Sequence, residues 1–485
     1  MSGRDEADGS PGDAVVSGDG CANPSPVRER VLMENRLASS SSFSRRDLLR
    51  LTAGAAAIGG VGFLAACSAT GSTPISTASG AKSAAKKTIR LEYSFSATDA
   101  RSTAIRQISA AFTKKTGIAV EQPAGGVNYA NLDKLLIREV ASKQQPDVSF
   151  QYDSVLLELS QAHAIQPLDQ FTKSWSTKMR EDFTYPLDEL KLEGKMLALR
   201  FSPVPSNALY YHKDIYAAAG QTKAPVTFEE WEDVSQRVTT PSRYGFSVPL
   251  VTSGTLHRLI AAWTSMIWAG GGDLFDAAKG KPTFQNEPGI KAAQWFQDQV
   301  YKTKIMPQNA TTTSDDTLDD QFVAGNVAAI TANTGNASGY VAGGVKDMVL
   351  APFPNFANKS TVGTAFGAFT FTMTIPTGAQ TEEAWQFIDF TQQPEAQLIL
   401  AKAGQSLPTR KSALDDPFFK TSAAKQQVEI IDWMKVNPHK APLDIPQYPE
   451  LITALGTAFQ DIIANRAKPS TALKTAASTY TAALS

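Results

Sequence analysis

The sequence predicts an α/β fold built in two lobes, and three observations lead there. Strand-type and helix-type periodicities alternate from Ile89 to Ala162, and such alternation builds a parallel sheet with helices on both faces. A polar leader and an uncharged apolar stretch occupy residues 1–66, so the folding portion begins near Thr88. About 400 residues then remain, more than the ~250–300 that a single hydrophobic core serves.

The elements follow in order. Ile89-Arg90-Leu91-Glu92-Tyr93-Ser94-Phe95 alternates with period two and predicts a strand. From Ala104 to Lys115, Ile105, Ile108, Ala111 and Phe112 recur on one helical face; Gly117 ends the run, and Ile118-Ala119-Val120 resumes as strand, giving a β-α-β unit. Asn131 to Lys143 predicts a helix with Leu132, Leu135, Leu136 and Val140 inward. Pro146 to Gln151 predicts a short buried strand, and Ser154 to Ala162 another helix. In such sheets ligands bind beyond the carboxyl ends of the strands, where Tyr152 and Asp153 stand. Asp153 there either faces ligand or caps the next helix. Gly194-Lys195 reads as a hairpin turn, and Leu197-Ala198-Leu199 as an uncharged strand leading into Arg200. Thr227 and Glu230 form a capping box that places Trp231 in the core. Asp315-Asp316 and Asp319-Asp320 read as a helix start with a solvated face.

The leader predicts export. Arg45-Arg46 precedes sixteen uncharged residues, Leu51 to Ala66, of which five are Gly or Thr. Twin arginines ahead of a weakly apolar stretch fit a twin-arginine signal, and the stretch falls short of the ~20 apolar residues of a membrane span. Leu64-Ala65-Ala66-Cys67 resembles the lipobox of bacterial lipoproteins, in which the cysteine carries diacylglycerol and becomes the first mature residue. Cys67 is thus the expected lipid attachment site, on the outer face of the cytoplasmic membrane. The leader is long, and Met33 offers an alternative start. Residues 67–87, rich in Ser, Thr, Ala and Gly, read as a flexible tether with a coil dimension of about 25 Å.

Composition excludes several functions. Setting aside the seven arginines and eight acids of residues 1–66 leaves 39 basic and 39 acidic residues. No basic field is available for nucleic acid, and no membrane contact beyond the anchor is expected. Cys21 lies in the leader and Cys67 is consumed by lipid, so disulfides and thiolate metal sites are excluded. His163, His212, His257 and His439 are scattered without metal-binding spacing, and Gly270-Gly271-Gly272 lacks the Lys-Ser/Thr of a phosphate loop. No cofactor is expected.

A set of ordered motifs points further. Glu193-Gly194-Lys195-Met196-Leu197-Ala198-Leu199-Arg200, Ala208-Leu209-Tyr210-Tyr211-His212-Lys213-Asp214-Ile215-Tyr216 and Pro225-Val226-Thr227-Phe228-Glu229-Glu230-Trp231 come first. Phe322 to Ile330, Ala384-Trp385-Gln386-Phe387-Ile388-Asp389-Phe390 and Gln405-Ser406-Leu407-Pro408-Thr409 follow. Together they resemble family 1 extracellular solute-binding proteins, the receptors of carbohydrate ABC importers, similar to the maltose- and glycerol-3-phosphate-binding proteins. His212 stands where that pattern usually has Asn. The resemblance implies a two-lobed periplasmic-binding-protein-like fold with hinge strands and an interlobe cleft. Lobe 1 would comprise 88–200 and 364–404, and lobe 2 would comprise 201–363 and 405–485.

It also implies a monomeric receptor, not an enzyme, that closes on a small carbohydrate and docks on ABC permease subunits and their ATPase. The ligand-facing candidates are Tyr152 and Asp153; Trp263 and Trp268, of which one stacks on ligand while the other is core; Asn333 and Gly335 in a small polar turn; Phe366 and Gly367; and Arg410. Flat aromatics paired with carboxylates or amides match the ring faces and hydroxyl edges of sugars. A glycerol phosphate or glycerophosphodiester ligand is the alternative, which would favour arginine; Ala441 to Glu450, where such relatives place one, contains none. An exported carbohydrate-active enzyme is the alternative of another class, requiring two carboxylates at set spacing.

Overall fold

A computed structural model describes residues 87–485, apart from 98, 124–131, 204–206, 250–256, 355, 357–370, 405, 422–423 and 437–443. The leader, Arg45, Arg46, Cys67, Phe366 and Gly367 lie outside the described residues.

The chain opens with β1 (Thr88–Glu92), α1 (Ala100–Thr116) and β2 (Ala119–Glu121). The helix starts one turn ahead of its apolar run because Asp99 caps it, accepting from the Arg101 backbone N–H. Gly117, at φ 78°, ends it in the left-handed region that favours glycine. Next come α2 (Leu132–Ser142), β3 (Val148–Tyr152) and β4 (Ile165–Gln166). Then β5 (Lys191–Leu192) and β6 (Lys195–Met196) form the expected hairpin. Its two turn residues, Glu193 and Gly194, both have positive φ, as a tight hairpin turn demands. β7 (Leu199–Arg200) precedes β8 (Ala208–His212).

The helices α3 (Phe228–Val238), α4 (His257–Ala269), α5 (Glu287–Tyr301) and α6 (Asp315–Val323) follow. Thr227 caps α3 through Glu230 N–H at 3.1 Å, while the Glu230 carboxylate accepts from Val226 N–H at 2.7 Å, and Trp231 is buried. The last elements are β9 (Ala329–Ala332), α7 (Ala337–Ala342), β10 (Met348–Pro352), β11 (Phe371–Pro376), α8 (Thr381–Thr391), α9 (Pro394–Ala403), α10 (Lys425–Val436), α11 (Tyr448–Ile463) and α12 (Pro469–Ala483).

Two sheets organise these elements. In the first, the order is β2-β1-β3-β11-β4, with β7 also on β11. β1 runs parallel to β2 and β3, but β11 is antiparallel to β3, β4 and β7. The second sheet, β9-β8-β10, is antiparallel throughout. The expectation of a parallel sheet therefore holds only for the β-α-β portion. β11 arrives after a long excursion through other elements, so no helical crossover dictates its direction.

Two large cores result. One gathers Ile89, Phe112, Phe150, Leu199, Met373 and Phe387; the other gathers Leu209, Trp231, Trp263, Phe296, Leu455 and Tyr480. The segment after α9 attaches to the first: Ser202 Oγ donates to Leu407 O at 2.9 Å, and Thr184 N to Thr409 O at 2.9 Å. Ile445 onward belongs to the second.

Within the first body Glu92 is buried on β1 beside Glu139 of α2, with Ser149 Oγ donating to it at 3.2 Å and Arg90 nearby. Burial, reinforced by Glu139, pushes the Glu92 carboxyl up to about 8. A carboxyl raised in the folded state contributes stability that is complete below its unfolded value near 4.5 and declines as pH rises through 8. The melting temperature should accordingly fall between pH 5 and 8.5. Glu92→Gln should flatten that decline, and a wild-type melting curve already independent of pH over this range would refute the assignment.

Candidate functional site

The site begins where β1 and β3 end, on one edge of the first sheet. Phe95 meets Phe371 edge-on with ring centroids 4.5 Å apart, and Phe371 packs on Tyr152 at 4.3 Å. Arg101, in the first turn of α1, lies over Phe95, its guanidinium 4.2 Å from the ring centroid. Arg101 donates to both carboxylate oxygens of Asp99, at 3.0 and 2.6 Å. Against the burial that would raise it, these bonds hold the Asp99 carboxyl below the usual range. A helix start and its self-neutralised ion pair form this wall, with the Phe95 ring packed against the guanidinium.

The facing wall is built by α4, α6 and α7. Arg258 of α4 donates to both oxygens of Asp319, at 2.6 and 2.8 Å, and lies 3.4 Å from Asp315, one turn earlier on α6. Burial pushes the Asp315 carboxyl up to about 6, with Arg258 opposing the rise. Tyr340 Oη donates to Asp319 at 2.7 Å, and Asn336 Nδ2 donates to Tyr340 Oη at 3.2 Å. Asn333 accepts from Gly335 N–H at 2.9 Å through its side chain and from Tyr210 Oη at 2.9 Å through its carbonyl. Asp315 and Asp319 thus clamp a buried arginine, while Asp316 and Asp320 form the solvated face that the sequence predicts.

Between the walls lies a cavity of about 450 Å³, bordered by Asp99 and Arg101 on one side and by Asp319, Asn333, Asn336 and Tyr340 on the other. It adjoins a second cavity of about 490 Å³, and Gly335 and Ser406 border both.

The predicted residues divide. Asn333 and Gly335 border the groove, whereas Tyr152 packs on Phe371 and is not among the residues bordering either cavity. Trp263 is fully buried: its indole N–H donates to Gly289 O at 3.0 Å, and its ring meets Phe284 and Phe459 edge-on. It is core. Trp268 is only 4% exposed and donates to Asp273 at 3.0 Å. Neither borders the two cavities. Asp153 is also fully buried and begins a short 3₁₀ turn, its carboxylate 3.7 Å from Arg200. It is the partner of a buried cation in this conformation, not an acceptor open to the groove. Arg410, expected either at ligand or exposed, is neither: it donates to Asp182 at 2.7 Å and lies over Phe183.

Sequence reasoning did not select Arg101, Asp319, Tyr340 and Ser406, which also border the groove. Asp99-Ala100-Arg101 follows the end of β1, so the strand-end rule that selected Tyr152 and Asp153 could have found it. Asn336 closes the same turn as Asn333. The spacing of Asp315 and Asp319 puts both carboxylates on one helical face, but their arginine on α4 is remote in sequence.

Residues 107–427 match the sequence pattern of a family described as bacterial extracellular solute-binding proteins. The chain belongs to that family. A galactooligosaccharide-binding protein of Bacillus subtilis is 25% identical over 285 residues, which is 57% of this chain and 63% of that protein. A "probable amino-acid ABC transporter periplasmic-binding protein" of Sinorhizobium fredii is 24% identical over 222 residues, covering 41% of this chain and 46% of its own length. The chain thus spans less than two thirds of these curated relatives. Maltose-bound MalE3 of T. maritima superposes with a TM-score of 0.68 at 19% identity, over 81% of this chain and 98% of that one. This likeness identifies the two-lobed solute-binding fold.

Proposed function

We propose that this member of the bacterial extracellular solute-binding family is the receptor of an ABC importer and captures a neutral mono- or oligosaccharide. Ligand would enter between Asp99 and Arg101 on one wall and Asp319, Asn336 and Tyr340 on the other, and the lobes would close over it. The first lobe would comprise 88–200 and 364 to about 424, including the segment around Arg410, and the second 201–363 and about 445–485. The observation that carries the reading is the groove itself, which sets the Tyr340 ring beside the carboxylate of Asp319 and the amides of Asn333 and Asn336, the pairing that sugar C–H faces and hydroxyl edges require. The maltose and galactooligosaccharide named for the relatives agree with it.

Charge argues against the phosphate alternative. The described wall carries Asp99, Asp319 and Asp320 against Arg101, which Asp99 already holds. A phosphate would meet three carboxylates and no spare cation. An exported enzyme is less favoured, because Arg258 ties Asp315 and Asp319 into one buried cluster and Asp315 is not among the residues bordering the cavity.

A thermal-shift panel of mono-, di- and trisaccharides, glycerol phosphate and amino acids tests the ligand class. At 100 times Kd a binder adds about 2.7 kcal/mol of stability. Stabilisation by glycerol phosphate or an amino acid alone would overturn the sugar reading. The anchor is tested separately. Cys67→Ser should move the protein from the membrane to the soluble fraction with its sugar affinity unchanged, and continued membrane partitioning would contradict lipidation. The anchored receptor is read as a monomer serving permease subunits and their ATPase.

A further inference from the structure

The second cavity differs in character from the first. Among its described lining residues Lys402 alone is charged, and that ammonium lies 5.3 Å from the centroid of the Phe418 ring and 4.0 Å from Asp416. Val341 of α7 borders it at 59% exposure, one of the most exposed large aliphatic side chains described, and Leu407 and Ile430 line it as well. Gln427 donates through Nε2 to Ala401 O and Ser406 O, both at 3.2 Å, whereas its buried Oε1 accepts no hydrogen bond. The wall therefore offers apolar surface from Val341, Leu407, Phe418 and Ile430, polar side chains at Thr334, Lys402, Ser406, Gln426 and Gln427, and a passage past Gly335 and Ser406 to the polar cavity.

We infer that this cavity is a subsite for an apolar substituent on the sugar, so that the preferred ligand is an amphipathic glycoside with an aryl or short alkyl group. The inference rests on the sugar reading above. A further hexose ring, which Thr334, Lys402, Ser406 and Gln426 would meet with hydrogen bonds, is the competing occupant, and it would leave the exposed Val341 without an apolar partner. An aryl or alkyl group of matching size instead removes the exposed Val341 from water.

The test compares lactose and maltose with their phenyl glycosides by calorimetry on the full-length protein. The phenyl glycoside of a bound sugar should bind at least about tenfold tighter than the free disaccharide. Val341→Asp, at an exposed position, should abolish that gain while leaving the free disaccharide within twofold of its wild-type affinity. A phenyl glycoside that binds no tighter, or a gain retained in Val341→Asp, overturns the subsite while the sugar reading stands. If none of these compounds binds and no saccharide of the panel does either, the sugar reading falls and takes the subsite with it.

Discussion

Arg200→Ala should lower the unfolding free energy by about 3–5 kcal/mol, the usual consequence of removing one partner from a buried ionic cluster. Arg200 is fully buried and donates to Glu189 at 2.8 Å, lies 3.7 Å from Asp153, and has its guanidinium 4.7 Å from the Tyr185 ring centroid. Alanine would leave the carboxylates of fully buried Asp153 and partly buried Glu189 without their arginine. Burial already raises the Glu189 carboxyl even with the arginine in place. Arg200→Met combined with Glu189→Gln and Asp153→Asn should recover part of the loss, because the orphaned charges disappear together. Urea unfolding monitored by tryptophan fluorescence reads both variants. A loss under about 1 kcal/mol for Arg200→Ala would place the cluster among weak surface pairs.

Trp263→Ala should be comparably damaging to stability, at about 3–5 kcal/mol, and silent in binding. The ring fills the second core between Phe284 and Phe459, and its N–H is satisfied by Gly289 O. Alanine would leave a large cavity and an unpaired carbonyl. The folded fraction should retain wild-type affinity for whichever sugar stabilises the protein. A stable Trp263→Ala protein with affinity reduced some 30-fold would restore the tryptophan to the ligand site.

What the sequence revealed and what it hid differ in physical range. The face of α1, the Thr227 cap and the hairpin, whose turn falls on Glu193-Gly194 one residue before the expected Gly194-Lys195, are set by neighbours within a turn or two, and periodicity or local chemistry exposes them. The burial of Asp153 depends on Arg200, and the fate of Asp315 and Asp319 on Arg258, pairs that only the fold brings together. Trp263 and Trp268 could not be separated by spacing, because nothing local reveals that Phe459 of α11 packs on the first. The antiparallel course of β11 has the same origin, since its partners β3 and β7 lie far upstream. Strand-end reasoning selected Tyr152, which packs on Phe371, and Asp153, which is buried beside Arg200.

The central claim is that sugar is held between Arg101 on one wall and Asn336 on the other. Calorimetric titration of wild type, Arg101→Ala and Asn336→Ala with the most stabilising saccharide tests it most directly, with Thr457→Ala on the distant helix α11 as control. Removing a hydrogen-bonding group from a buried ligand contact costs about 2 kcal/mol, some 30-fold in Kd. Each groove variant should weaken binding on that scale, with melting temperature little changed and the control unaffected. Wild-type affinity in both folded groove variants would contradict the claim.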